Sequence, residues 1–236
     1  MRGEIYPSIA GVPRADWERM LPGEPESWDY YRAVEDVPPS AFKLGAVAAL
    51  DGDQVVAAAP LFRVAYRIDT PLQGRLRQIG QWVFERVPRL VSLPVIGMGS
   101  PMSDNCTIGF APGLSDAQRN QAFDAMLARI EAAAAEEKSA LIAVKSVDEQ
   151  AEKLQPSFAA HGYNRVTSVP LVMLELPFES LEAYLASLPG KTRGYLKRKM
   201  RAGAQVRTEY RTSLDGLEMQ VFGMFQDTLK QSKVDY

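Results

Sequence analysis

Residues 106–147 read CTIGFAPGLSDAQRNQAFDAMLARIEAAAAEEKSALIAVKSV. Cys106–Phe110 and Ala140–Val147 are short apolar runs of the kind that form strands. Between them, Ser115 can cap a helix from about Ala117 to Lys138, which is rich in alanine and glutamate. A strand, a helix and a further strand in this order indicate a parallel crossover, so the stretch predicts an α/β fold.

A β-hairpin is predicted upstream of this unit. The runs Phe42–Leu50 and Gln54–Tyr66 are apolar and are joined by Asp51-Gly52-Asp53, a turn signal of the hairpin type. Pro60 lacks an N–H group, which places the second strand at an edge or a bulge. A short helix over Arg14–Met20 and a strand over Val95–Gly99 complete this half of the chain.

Residues 70–93 form a basic amphipathic pattern. Apolar residues recur at helical spacing and arginines occupy positions between them. Such a helix packs on its own domain or covers an active site as a lid, or it lies on an anionic membrane as a peripheral contact. We favour packing or a lid, because Pro88 interrupts a long interfacial helix.

The segment after residue 147 continues the alternation of helices and strands. A helix is expected over Glu149–Ala160, with Pro156 as a kink and Gly162 as its end. His161 then sits at the helix terminus, where a cationic ring is favoured by the helix dipole. A strand is expected from about Arg165 to Leu176.

Composition excludes several classes of protein. The 236 residues include one cysteine and one histidine, so an internal disulfide is ruled out and a zinc site is disfavoured. The net charge of −2 does not favour nucleic acid as a partner. Neither a signal peptide nor a transmembrane run is apparent, so we expect a cytoplasmic protein.

The order and spacing of Cys106–Leu176 resemble the GNAT superfamily of acyltransferases. That resemblance implies a mixed sheet flanked by helices, with acyl-CoA as a co-substrate that is not tightly bound and an amine as acceptor. The family places a glycine-rich segment before its long helix, where backbone N–H groups hold the pyrophosphate. Here the corresponding residues 111–116 read APGLSD, with one glycine, one proline and an acid, which argues against a pyrophosphate site at this helix.

A second resemblance lies further along the chain. A helix over Phe178–Leu188, a basic helix ending near Arg201 and a strand over Ala204–Tyr210 are similar to a segment of the Fem-type acyltransferases. Those proteins carry two GNAT-like domains in tandem. The resemblance divides the chain into a GNAT-like domain, residues 1–188, and the start of a second, residues 189–236. A last helix, capped by Ser213, would introduce that second domain, most of which we expect to lie outside this sequence.

Basic residues cluster in this second segment. Lysine and arginine can neutralise phosphates, and arginine offers a planar, bidentate fork. The cluster is either a solvated helix face or a site for the phosphates of CoA, a nucleotide-linked sugar or a tRNA acceptor end. The candidate binding residues are Lys191, Arg193, Lys197 and Arg198.

The loop 100–105 is the candidate catalytic segment. It follows a strand end, where polar groups of α/β sites often gather. Acyl transfer to an amine needs a proton acceptor, and Asp104 is the candidate base, with Ser100 and Asn105 as binding residues. The alternative is an ordinary polar turn. Lys145, in an apolar strand, is either an edge lysine that reaches solvent or a ligand contact.

The two resemblances, together with the basic segment, therefore imply an N-acyltransferase that moves an acyl or aminoacyl group to an amine, on a cell-envelope or polysaccharide precursor. The alternative is a non-catalytic GNAT-like module that recognises a substrate or docks a partner. The oligomeric state stays open.

Overall fold

The computed structural model describes residues 1–36, 42–67, 82, 86–87, 92–102, 106–145, 147, 153–167 and 175–231. They divide into two compact units, Met1–Val169 and Pro170–Tyr236. A compact unit need not coincide with an evolutionary domain. The predicted domain boundary between residues 188 and 189 therefore stays a prediction. The helix predicted over residues 70–93 lies almost wholly outside the described residues.

The predicted hairpin forms the centre of the first unit. Strands β2 (Phe42–Asp51) and β3 (Gln54–Arg67) pair antiparallel, with Asp51 opposite Gln54 across a two-residue turn. Gly52 in that turn has φ of +59°, which glycine adopts without steric cost. Residues 44–50 are all buried, so both faces of β2 are covered.

Further strands extend the hairpin into a mixed sheet. β3 pairs antiparallel with the short strand β5 (Gly109–Phe110) near its start and with β4 (Ser92–Met98) over its second half. β4 in turn pairs in parallel with β6 (Leu141–Val144). β1 (Arg2–Tyr6) lies antiparallel to β2, which gives the order β1-β2-β3-β4-β6. A mixed sheet flanked by helices confirms the predicted α/β class.

Pro60 lies inside the central strand, so the prediction of an edge or a bulge at this residue is wrong. It pairs with Ala46 on one side. Its carbonyl accepts from Gly99 N at 2.8 Å on the other side, so the missing N–H also points that way. Pairing of β3 with β5 involves Ala57 and Ala58, and pairing with β4 begins at Leu61. The N–H group that Pro60 lacks would therefore point into the gap between β5 and β4. No hydrogen bond between strands is lost at this position.

The long helix α3 (Asp116–Glu137) crosses from β5 to β6, as predicted. Ser115 and Gln118 form a reciprocal capping box at its start, and Lys138, with φ of +57°, ends it. The helix packs closely on β1, since a Cβ on Gly3 would collide with the carbonyl of Ala125. Its buried residues are Ala122, Phe123, Met126, Leu127, Ile130, Ala133 and Ala134.

Elements from the N-terminal segment contact β2, β3 and β5. They are a 3₁₀ turn (Ile9–Gly11), the predicted helix α1 (Arg14–Met20) and helix α2 (Trp28–Glu35). Neither α2 nor β1 is predicted from the sequence. Trp17 and Tyr31 pack edge to face, with ring centroids 5.6 Å apart, and both are buried.

Helix α4 (Gln155–Ala160) follows β6 and packs on α3. Pro156 lies in its first turn and does not kink the described helix, while residues 149–152 of the predicted helix lie outside the described residues. Gly162, with φ of +73°, ends the helix as predicted. His161 does lie at the terminus, and its Nδ1 is 2.9 Å from Glu131 Oε1 on α3, so a carboxylate is the ring's direct partner.

The part of the second unit that the structure describes contains three helices. They are α5 (Leu181–Ser187), α6 (Gly190–Gly203) and α7 (Glu218–Gln231). The strand predicted over Ala204–Tyr210 is wrong, because these residues are exposed and no described strand pairs with them. Ser213 Oγ accepts from Asp215 N at 3.1 Å and so stabilises a turn, since α7 begins only at Glu218.

Two features are absent from the part of the chain that the structure describes. None of its helices is both long enough and apolar enough to cross a membrane. No three or more His, Cys, Asp or Glu side chains among the described residues are grouped where they could hold a metal ion.

Glu35 provides a test of how the N-terminal segment is held. Its side chain, 10% exposed, accepts from Ser8 Oγ at 2.7 Å, Ile9 N at 2.6 Å and Arg32 Nη1 at 2.7 Å. We expect Glu35→Ala to lower the free energy of unfolding by about 3 kcal/mol, because buried donors lose their acceptor. Urea denaturation measures the change.

The neighbouring acid is the control. Asp36 is 71% exposed and lies 3.5 Å from Arg32, so Asp36→Ala should cost less than about 0.5 kcal/mol. Equal losses in the two variants would contradict the proposed role of Glu35.

Tyr163 makes the stability of the first unit sensitive to alkali. Burial, reinforced by the nearby charge of Glu131, raises its pKa to about 12. An unfolded tyrosine ionises near pH 10, so between about pH 10 and 12 the unfolded chain releases a proton that the folded chain keeps. The free energy of unfolding therefore falls as pH rises through this window.

We expect Tyr163→Phe to reduce that fall. Near neutral pH the variant should be at least as stable as the wild type, because the buried Tyr163 hydroxyl has no hydrogen-bond partner among the described residues. Denaturation curves at pH 8 and pH 11 give the comparison. Tyr210→Phe, at a side chain 97% exposed, should leave the pH dependence as it is.

Candidate functional site

The carboxyl ends of β4 and β6 lie side by side. Met98 pairs with Val144, and Lys145 N then donates to Met98 O at 3.0 Å. The residues that follow the two strands are therefore neighbours, although they are far apart in sequence. Ligand sites of α/β proteins gather at this end of parallel strands.

Lys145 fixes the segment that follows β4. Its Nζ donates to the carbonyls of Ser100 at 3.1 Å and Pro101 at 3.4 Å. The side chain is half-buried, and its ammonium group bonds to backbone carbonyls of the protein instead of extending into solvent. Lys145 thus links the end of β6 to the end of β4 by hydrogen bonds, a role that the sequence does not indicate.

A buried hydrogen-bond network links α2 to the same strand end. The Tyr31 hydroxyl donates to Glu26 Oε2 at 2.5 Å and is also bonded to the Ser100 side chain. Ser100 Oγ accepts from Met102 N at 3.2 Å. Tyr31 is 3% and Ser100 1% exposed, so both of these side chains are shielded from water.

The network keeps the Tyr31 phenol neutral. Burial raises the pKa of Tyr31 far above its usual value, and the hydrogen bond to Glu26 adds to the increase. The bond with Ser100 acts in the opposite direction but is weaker than burial. Tyr31 therefore serves as a fixed hydroxyl at this site and does not act as an ionised base.

Gly99 allows the strand ends to approach each other. Its φ of +111° is in the region that favours glycine. A Cβ at this position would lie 3.2 Å from Cys106 Sγ and 3.4 Å from Lys145 Cβ. The two ends of the loop between Gly99 and Cys106 thus meet beside Lys145.

The predicted site residues of this loop have different outcomes. Ser100 is at the strand end, where it contributes to the buried network. Asp104 and Asn105 lie outside the described residues, so their roles as base and binding residue stay predictions.

The predicted basic residues lie on two faces of α6. Arg193, Lys197 and Arg201 recur every four residues and line one groove with α5. Arg198 and Lys199 instead lie 5.6 and 5.1 Å from the ring centroid of Tyr195.

Lys191 and Arg193 are separated in the same way. Lys191 is two residues from Arg193, about 200° around the helix, so it lies on the opposite side. The four predicted binding residues therefore do not form one cluster.

The start of α3 does not fit a pyrophosphate. Gln118 N donates to Ser115 Oγ at 3.3 Å, and Ser115 N donates to Gln118 Oε1 at 2.9 Å, so the helix uses these amides itself. Asp116 places a carboxylate in the first turn, and Lys153 pairs with it at 3.2 Å. Pro112 offers no N–H. The anion site that the resemblance implies is absent from these described residues.

The residues that sequence reasoning missed are Tyr31 and Glu26. Ser27 before Trp28 is a helix-start signal, and its Oγ does accept from Tyr30 N at 3.3 Å. That signal could have indicated α2. It could not have indicated the contact with Ser100, which lies far along the sequence.

Comparison with known proteins returned structural neighbours only. No protein family matches the sequence, and no curated protein matches it. One solved structure that resembles the chain is TTHA1254 from Thermus thermophilus, at 14% identity and a TM-score of 0.39, covering 74% of this chain and 97% of that one. Its I68M mutant gives 13% identity and a TM-score of 0.40, covering 75% and 100%.

A further neighbour is the aminoglycoside antibiotic 6'-N-acetyltransferase AAC(6')-IG from Acinetobacter haemolyticus. Its identity with this chain is 12% and its TM-score 0.42, with 75% of this chain and 99% of that chain covered. Likeness of this degree does not identify a family or an activity.

The network at the strand end can be tested by removing one hydroxyl. We expect Tyr31→Phe to lower the free energy of unfolding by about 1–2 kcal/mol, because Glu26 and Ser100 lose a buried partner while the ring stays in place. Chemical denaturation gives the value.

Tyr30→Phe is the matched control in the same helix. No hydrogen bond of the Tyr30 hydroxyl occurs within the described part of the chain, so its loss should change stability by less than about 0.5 kcal/mol. The network is not a stabilising unit if the two variants behave alike.

Proposed function

We propose that this chain is an N-acyltransferase of the GNAT-like type, which transfers an acyl or aminoacyl group from an activated donor to an amine. The observation that carries the proposal is the parallel pair β4 and β6, connected through α3, with a buried polar network at its carboxyl ends. Strand β5, helix α3, strand β6 and helix α4 follow one another in the order that the sequence resemblance implies for this part of the chain. Ser100 and Cys106, on either side of the segment with Asp104, lie at the edge of the sheet where α/β proteins bind ligands, which supports the proposal.

Acyl transfer of this kind needs little machinery. The amine must lose a proton, and the donor carbonyl must be polarised as its oxygen gains charge. Asp104 is the proposed proton acceptor. The loop that carries it is held at both ends, by the bonds of Ser100 with Tyr31 and Lys145 and by the buried Cys106 beside Gly99. The network thus acts as a positioning device for the loop.

The class of acyl donor is part of the proposal. The resemblance implies acyl-CoA, but the start of α3 does not accept a pyrophosphate, because Asp116 and the capping box occupy it. An acyl-CoA would therefore have to place its phosphates elsewhere, and an aminoacyl ester would not need this site. A cytoplasmic protein acting on an amine of a cell-envelope or polysaccharide precursor, as the resemblance to the Fem-type acyltransferases implies, is the form of the proposal that we favour.

The same helix start supports a second candidate function. A GNAT-like module without a phosphate site is suited to recognise a substrate or dock a partner without catalysis. The specific observation in its favour is the carboxylate of Asp116 where a donor phosphate would lie.

Turnover separates the two functions. The purified chain would be incubated with acetyl-CoA, a long-chain acyl-CoA or an aminoacyl ester, each with a panel of primary amines, and the acylated amine detected by mass spectrometry. An acyltransferase yields product from at least one donor. No product from any donor would favour the non-catalytic module.

If product forms, Asp104 is the residue to change first. We expect Asp104→Asn to lower kcat by about 10²–10⁴-fold, since an amide cannot accept the amine proton. The control is Asp53→Asn, at an exposed acid in the hairpin turn, which should leave kcat as it is. An unchanged rate in Asp104→Asn would remove this residue from the mechanism.

A further inference from the structure

Helices α5 and α6 of the second unit are joined by a short connection. Ser180 Oγ accepts from Ala183 N at 3.1 Å and caps α5. At the other end of α5, Arg193 Nη1 donates to the Ala186 carbonyl at 3.1 Å and ties α6 to it. The connection is only Leu188 and Pro189, so the two helices are held at a short turn.

A groove of about 660 Å³ lies between these two helices. This volume falls within the range of small-molecule sites, roughly 300–1,000 Å³. Leu185 and Ala186 of α5 and Met200 of α6 provide its apolar lining. The groove therefore offers a concave surface on which a short apolar chain can lie.

Basic side chains line the α6 side of the groove. Lys197 and Arg201 are one helical turn apart on the same face. Neither forms an ion pair within the described residues, whereas Arg193 is engaged with the end of α5. Glu182 is the one acidic side chain in the lining, so the groove keeps a positive balance.

Two like charges one turn apart repel and destabilise a helix by a few tenths of a kcal/mol. An anion between them removes that repulsion and accepts charge-assisted hydrogen bonds from both. A phosphate suits this pair because it offers several oxygens to an ammonium and a guanidinium at once.

We propose that the α5–α6 groove binds a small phosphate ester that carries an apolar arm. The phosphate lies between Lys197 and Arg201, and the arm lies on Leu185, Ala186 and Met200. A small molecule is favoured over a membrane surface because the groove is concave and is lined by residues of both helices. The proposal goes beyond acyl transfer and does not depend on it, since binding requires no turnover.

The test uses the full chain and isothermal titration calorimetry at low salt. The probe is octyl phosphate below its micellar concentration, and the comparison ligands are inorganic phosphate and octanol. We expect octyl phosphate to bind at least about tenfold more tightly than either, because only this probe uses both the cations and the apolar lining.

Two double variants with equal charge change distinguish the groove from the rest of the helix. Lys197→Ala/Arg201→Ala should weaken octyl phosphate binding at least about tenfold, the loss expected for charged hydrogen bonds. Arg198→Ala/Lys199→Ala removes two cations beside Tyr195 and should weaken it less than about threefold. Equal weakening in both would show diffuse attraction to the helix and overturn the proposal.

Met200→Gln tests the apolar lining separately. It should reduce the preference for octyl phosphate over inorganic phosphate while leaving inorganic phosphate binding unchanged. An unchanged preference would overturn the assignment of the arm. Binding to vesicles of anionic phospholipid without binding to octyl phosphate would also overturn the proposal, in favour of a membrane contact.

Discussion

The structure of the first unit depends on the antiparallel pairing of β2 with β3. The middle of this pair consists mainly of buried alanines. They are Ala46, Ala48 and Ala49 of β2 and Ala57, Ala58 and Ala59 of β3. Because β2 is covered on both faces, the sheet requires packing elements on each side. Small side chains let those elements approach the backbone closely, as α3 does over Gly3. The positions of β4, and through it β6, follow from their pairing outward from β3.

The strand ends at the carboxyl edge are held by polar contacts rather than by apolar packing. Lys145 joins the end of β6 to Ser100, and Ser100 joins Tyr31 of α2. This arrangement couples the N-terminal helices to the loop that carries the proposed base.

The fold of this chain does not by itself identify a ligand site. Its described strands and helices form a mixed sheet with flanking helices, while the start of α3 is closed by its own capping box and by Asp116. Uncommitted positive charge is found instead in the second unit, on the α5–α6 groove. Ligand recognition in this protein is therefore to be sought from the side chains present and not from the fold.

Local signals in the sequence determined the elements that depend on nearby residues. The hairpin follows from Asp51-Gly52-Asp53, α3 from the cap at Ser115, and the end of α4 from Gly162, since each signal acts within one or two turns of chain. Only the tertiary structure decided where Pro60 lies in the sheet and which residue contacts Ser100. It also showed that residues 204–210 form no strand, because a strand needs a partner whose position no local pattern specifies. Long-range pairing sets such features, and its energy depends on groups far apart in the sequence.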